Sequence, residues 1–160
     1  MRNKNVNFKI FRKKEIGFGF SYSDIHDLAI QKWGHDIGGK NPSYFPKPED
    51  SLLIFRGEGN KHPHFSDCIN TLKECELFLP NVHGLVLLEM MDREFALLEP
   101  ESWTLGFDNL HNLNLESGLG HFVPCLMKED VGIYQYTWFS RNSKLEHDEF
   151  VLGYRRKEDE

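Results

Sequence analysis

Apolar and polar residues alternate as the chain opens: in VNFKIF, residues 6–11, Val6, Phe8 and Ile10 share one face, which is the period of a half-buried strand. The period then changes. Over residues 21–36, Ile25, Leu28, Ala29 and Trp33 recur at spacings of three and four behind Ser21, Ser23 and Asp24. That spacing predicts a helix with one apolar stripe and an oxygen-bearing cap. Gly34, Gly38 and Gly39 end it, and Pro42, Pro46 and Pro48 predict an extended, irregular loop, because proline has no amide to give to a ladder. SLLIF then reads as a short buried strand around 52–55. A second stripe, Phe65, Cys68, Ile69, Leu72, Cys75 and Leu79, predicts a second helix that turns both cysteines to the core. Ser66 is its expected N-cap, Asp67 complements the positive end of the helix dipole, and Pro80 with Gly84 marks its end.

Beyond Gly84 the apolar segments lengthen. In GLVLLEMMDREFALL, Leu, Glu, Met and Ala favour helix, yet apolar residues fill both sides of the MDRE break instead of forming one stripe, so a hairpin is expected over 85–98. Strands are expected around 121–127, 132–139 and 149–154, the middle one on the β-branched and aromatic run Ile133, Tyr134, Tyr136, Thr137, Trp138 and Phe139. The intervening SWTLGFDNLHNLNLESGLG, residues 102–120, reads as an irregular excursion or a short helix. Together these elements describe an α+β fold, with two helices in the N-terminal half packed on a mostly antiparallel sheet, as a single globular domain over 1–160.

With 39% hydrophobic and 13% aromatic residues the chain is too apolar to remain disordered. Its apolar runs are broken by acids well short of the ~18 to 20 residues a membrane-spanning helix needs. The N-terminal stretch never reaches the continuous apolar core of a secretory signal. A soluble, cytoplasmic protein is expected. Three cysteines, Cys68, Cys75 and Cys125, lack paired spacing and imply no disulfide framework. A net charge of −6 disfavours nucleic acid and favours a basic protein partner. FRKK at 11–14 and YRRK at 154–157 read as solvated strand ends.

The densest set of ligand-type side chains is HPHFSDC, which places His62, His64, Asp67 and Cys68 within seven positions. Zinc sites announce themselves by spaced pairs of cysteine and histidine, and none occurs here. An H-x-H pair can chelate from a strand, but Pro63 puts His62 and His64 in a loop, and Asp67 and Cys68 are accounted for by the helix. No metal and no cofactor is expected, with His62 and His64 as the alternative metal ligands. A hydrolase of phosphoesterase type would use His64 and His121 as acid and base, with Ser66 beside them, since imidazole titrates near neutrality. The matching HFV at 121–123 lacks the hydroxyl of HFS at 64–66. Neither a G-x-S-x-G elbow nor a complete phosphate-binding loop is present.

Recognition is what this inventory favours. Tyr44 and Phe45 sit in the proline-rich loop, and Trp103, Phe107 and Asp108 lie in the second excursion among acids. Aromatic rings flanked by carboxylates suit contact with a basic partner, the acids steering approach and the rings supplying buried area. The expected function is that of a small acidic binding protein, an inhibitor of the immunity or counter-defence type. Oligomeric state is left open.

Overall fold

The computed structural model describes residues 8–34, 44–57, 62–107, 122–140, 144–146 and 148–159. Its elements run β1 (Phe8–Glu15), α1 (Tyr22–Trp33), β2 (Ser51–Gly57), α2 (Phe65–Glu74), α3 (Asn81–Phe95), β3 (Ser102–Leu105), β4 (Phe122–Asp130), β5 (Ile133–Ser140) and β6 (Glu149–Arg155). The strands form one sheet in the order β1-β2-β6-β3-β4-β5. The pairing of β3 with β6 is parallel and the others are antiparallel. The chain is thus a mixed α/β protein with helices on both faces of its sheet.

Successive strand residues point to opposite faces, and the core divides accordingly. Leu52, Ile54, Leu126, Phe150, Leu152 and Tyr154 join a cluster with α1 and α3. Leu53, Phe55, Leu105, Val123, Cys125 and Val151 join another with Phe65, Cys68, Ile69 and Leu72 of α2. Helix α1 is built as its pattern predicts, with Ser21 Oγ accepting the Asp24 amide at 3.2 Å and Ile25, Ala29 and Trp33 buried. Gly34 closes it at φ 93°, a conformation open to glycine.

The hairpin expected over 85–98 is instead the C-terminal part of α3, followed by an irregular turn. Asn81 through Glu89 are all buried, because this helix is enclosed between α1 and the sheet. A helix buried on every side shows no stripe, so its apolar runs resemble strands. Its close approach to the sheet depends on Gly84, where a Cβ would overlap Pro80 and come within 2.8 Å of Tyr154 Oη.

Further differences are local. Helix α2 begins at Phe65 with His64 as N-cap, so Ser66 lies exposed in the first turn and caps nothing. It ends at Glu74, leaving Cys75 exposed. Leu79 is buried from the segment after the helix. In β1 the register shifts between Ile10 and Arg12, which leaves Ile10 47% exposed and brings Phe11 against Phe150. Residues 102–105 of the expected excursion form β3, a short central strand.

Buried polar groups tie the helices to the sheet. Asp92, on α3, accepts from Lys128 Nζ at 3.1 Å, Tyr134 Oη at 2.5 Å and the Leu98 amide at 2.6 Å. Glu89, one turn earlier, is bound by Tyr136 Oη at 2.5 Å, Arg93 at 2.8 Å and Lys32 at 3.3 Å. Each carboxylate is paired with a cation and hydrogen-bonded, which is the condition under which buried charge is tolerated.

Candidate functional site

On the α2 side, where β5 and β6 approach the start of α2, lies a cleft of about 500 Å³ lined by Phe139, Lys144, Glu146 and Glu149. Two chain segments far apart in sequence build it. His64 pairs with Lys144 in an isolated β-bridge, and the Leu145 amide donates to Pro63 O at 2.8 Å. Leu145 is buried in the α2-side cluster and anchors the crossing. The crossing also fixes His62, whose Nδ1 lies 3.0 Å from Leu145 O and 3.8 Å from Glu146 Oε1. The HPH stretch is therefore a structural splice against residues 144–146.

Glu149 is the most constrained group in the cleft. It opens β6 opposite Trp103 of β3, is only 9% exposed, and accepts the Glu146 amide at 2.9 Å. Burial raises its pKa; the Glu146 amide opposes this, while Asp148 and Glu146 raise it further. It forms no ion pair with a described residue. Trp103 packs its ring 5.2 Å from that of Phe139, and its amide donates to Asp148 O at 2.9 Å. Two half-buried aromatic rings thus stand beside a desolvated carboxylate. The signal for Glu149 was its place in EFVLGY, where an acid shares a strand face with the inward Val151.

The remaining expected binding residues do not converge here. Tyr44 stacks on Phe78 at 4.2 Å and donates to Asp50 Oδ2 at 2.5 Å, and Phe45 packs edge-on to Phe20 and Tyr22. Both are half-buried and pack against the α1 and α3 cluster. Phe107 is fully buried against Phe65, so it offers nothing to a surface. The rings that plug cores and those that face partners have the same sequence signature. Asp108 and His121 lie outside the described residues, and His64 and Ser66 are exposed near the start of α2.

Other reactive groups are occupied structurally. Burial raises the thiol pKa of Cys68 and of Cys125, which suits packing and not nucleophilic attack. No group of three or more His, Cys, Asp or Glu that could hold a metal occurs among the described residues. No described helix is long and apolar enough to cross a membrane. On α3, His83 is completely buried with Nε2 3.0 Å from His26 Nδ1, and Tyr22 Oη lies 3.3 Å from that same nitrogen. Among the described residues His83 Nδ1 has no hydrogen-bond partner. A metal-bound imidazole normally donates its second nitrogen to an acceptor, so this pair lacks the support such a site requires. Compared with protein-family models, curated proteins and solved structures, the chain matches none.

Proposed function

We propose that the protein acts by binding a basic protein partner, as an occluding inhibitor of the immunity or counter-defence type, and that the Phe139–Glu149 cleft receives a lysine or arginine side chain of that partner. The observation that carries this reading is Glu149: a nine-tenths buried carboxylate in the cleft wall that pairs with no cation among the described residues. An incoming ammonium or guanidinium supplies the missing charge, and the Phe139 ring beside it offers a cation–π face. Trp103 backs that ring and Glu146 stands at the same wall. The net charge of −6 steers a basic surface toward the molecule.

Two measurements test the proposal. In nuclear magnetic resonance titrations, an arginine-rich peptide should shift resonances of Phe139, Glu146 and Glu149, and the response should weaken as salt is raised. Affinity capture from host lysate should yield a basic protein whose binding falls about tenfold or more with Glu149→Gln or Trp103→Ala, in line with loss of a central anchor. Folded variants that capture the same proteins at the same yield would overturn the assignment.

A further inference from the structure

The sheet has two edges, and they are built differently. β1 carries Lys9, Arg12, Lys13 and Lys14 and shifts register between Ile10 and Arg12. Such charges and bulges keep an edge strand from pairing with other chains. At the opposite edge, β5 reads IYQYTWFS, eight residues with neither charge nor proline. It makes no backbone–backbone hydrogen bond beyond its β4 ladder to a described residue. Ile133 is 52% exposed and Gln135 is exposed. The strand is also held firmly from behind: Trp33 Nε1 donates to Thr137 O at 3.1 Å, Trp138 Nε1 lies 3.4 Å from Trp33 O, and Tyr134 and Tyr136 are tied to α3.

We propose that β5 pairs antiparallel with β5 of a second copy of this chain, about a two-fold axis perpendicular to the sheet. Pairing supplies partners to the outward amides and carbonyls of a ladder that no described strand extends. A strand without charge meets its own copy without repulsion. Pairing β5 with the basic β1 of another copy would be a heterologous contact that does not close, whereas the two-fold contact does. Residues opposed across an antiparallel pair must lie on the same face, which restricts the register to positions of equal parity. With Tyr136 on the axis, Tyr134 meets Trp138, Ile133 meets Phe139 and Gln135 meets Thr137. The first is a cross-strand aromatic pair, and the second covers the exposed Ile133. Because the axis is perpendicular to the sheet, both clefts open on the same side of the doubled sheet.

The test is the mass in solution of the full chain, by sedimentation equilibrium over about a hundredfold range of concentration. Wild type should show twice the chain mass at the upper end, and an Ile133→Lys, Gln135→Lys double variant should show the single mass with an unchanged far-ultraviolet spectrum. Hydrogen exchange gives a readout independent of any variant: wild-type β5 amides should exchange more slowly as concentration rises. A wild type that stays at the single mass with concentration-independent exchange overturns the proposal, as does a folded double variant that still dimerises.

Discussion

Lowering the pH should destabilise this protein through one histidine, and the structure gives the size of the effect. His83 is enclosed on α3 beside His26 and Tyr22, whose ring packs on Phe45, and among the described residues it makes no hydrogen bond to or ion pair with a carboxylate. Its Nδ1 is buried with no hydrogen-bond partner among the described residues, so the less costly tautomer leaves Nδ1 bare and places the proton on Nε2, where His26 Nδ1 accepts it. Protonating Nδ1 would bury an unpaired donor and a charge together. Burial, reinforced by any charge on His26, accordingly lowers the His83 pKa from 6.5 to about 4.

The sign follows from which state binds the proton. Between pH 6.5 and about 4 the unfolded chain holds a proton on His83 that the folded chain does not, so stability falls as pH falls through that window. At about 1.4 kcal/mol for each tenfold change in proton affinity, the full effect is roughly 3 kcal/mol, of which roughly 2 should appear between pH 7.5 and 5. Other groups act too. Asp50, whose pKa is lowered by hydrogen bonds from Tyr44 and the Lys47 and Lys157 amides against the opposing cost of burial, loses its contribution only at lower pH. Glu149, with its raised pKa, acts in the opposite direction to His83 as pH changes. The comparison that isolates His83 is therefore wild type against His83→Gln, which keeps a donor toward His26 but cannot be protonated. Urea unfolding followed by tryptophan fluorescence at the two pH values gives the free energies. If wild type and variant lose stability in parallel, the reasoning about His83 is wrong. Should the variant fail to fold, the His83 ring resonance serves instead, and a titration midpoint above pH 6 would refute the same argument.

Two further substitutions probe the architecture. Asp92→Ala leaves Lys128 buried without its carboxylate and Tyr134 Oη without its acceptor; it should cost about 3 to 5 kcal/mol in urea unfolding, and a loss below about 1 kcal/mol would show that the network is not holding α3 to the sheet. Gly84→Ala gains intrinsic helix propensity of about 1 kcal/mol but forces a methyl against Pro80 and Tyr154; a net loss of about 1 to 3 kcal/mol is expected, and a raised melting temperature would contradict the close packing of α3 on β6.

How far the fold was legible depended on exposure. Helix α1 lies against the core on one face only, so its stripe and its serine cap could be read directly. Helix α3 has a nearly continuous buried run, and the feature that identifies an exposed helix was absent. Its composition favours helix, since Leu, Met and Glu are helix formers, but its unbroken apolar runs have the period of neither an exposed helix nor a half-buried strand. In β1 the register shift at Ile10 moved the half-buried position to Phe11, a one-residue change that no alternating pattern anticipates. The cleft was half legible. The HPH stretch stood out as dense in polar chemistry, but its use depends on Lys144, Leu145 and Glu146, which the His64–Lys144 bridge and the Leu145–Pro63 hydrogen bond bring alongside.

Three buried acids show why residue type alone could not separate structure from function. Glu89 and Asp92 interrupt an apolar helix and Glu149 sits on the inward face of a strand, so all three carry the same sequence signal. Their partners differ. Glu89 and Asp92 meet Lys32, Arg93 and Lys128 together with two tyrosine hydroxyls, and their charge is compensated within the fold. Glu149 meets a backbone amide and an open cleft. A carboxylate that burial makes harder to ionise opposes folding once pH rises through its raised pKa, so removing its charge relieves the folded state at neutral pH. The Glu149→Gln variant that should weaken capture of the proposed basic partner is thereby expected to be as stable as wild type at pH 7, or more so, because the fold does not compensate the charge it removes. If the substitution instead unfolds the protein as Asp92→Ala should, Glu149 is another structural anchor and the cleft loses its claim to a ligand.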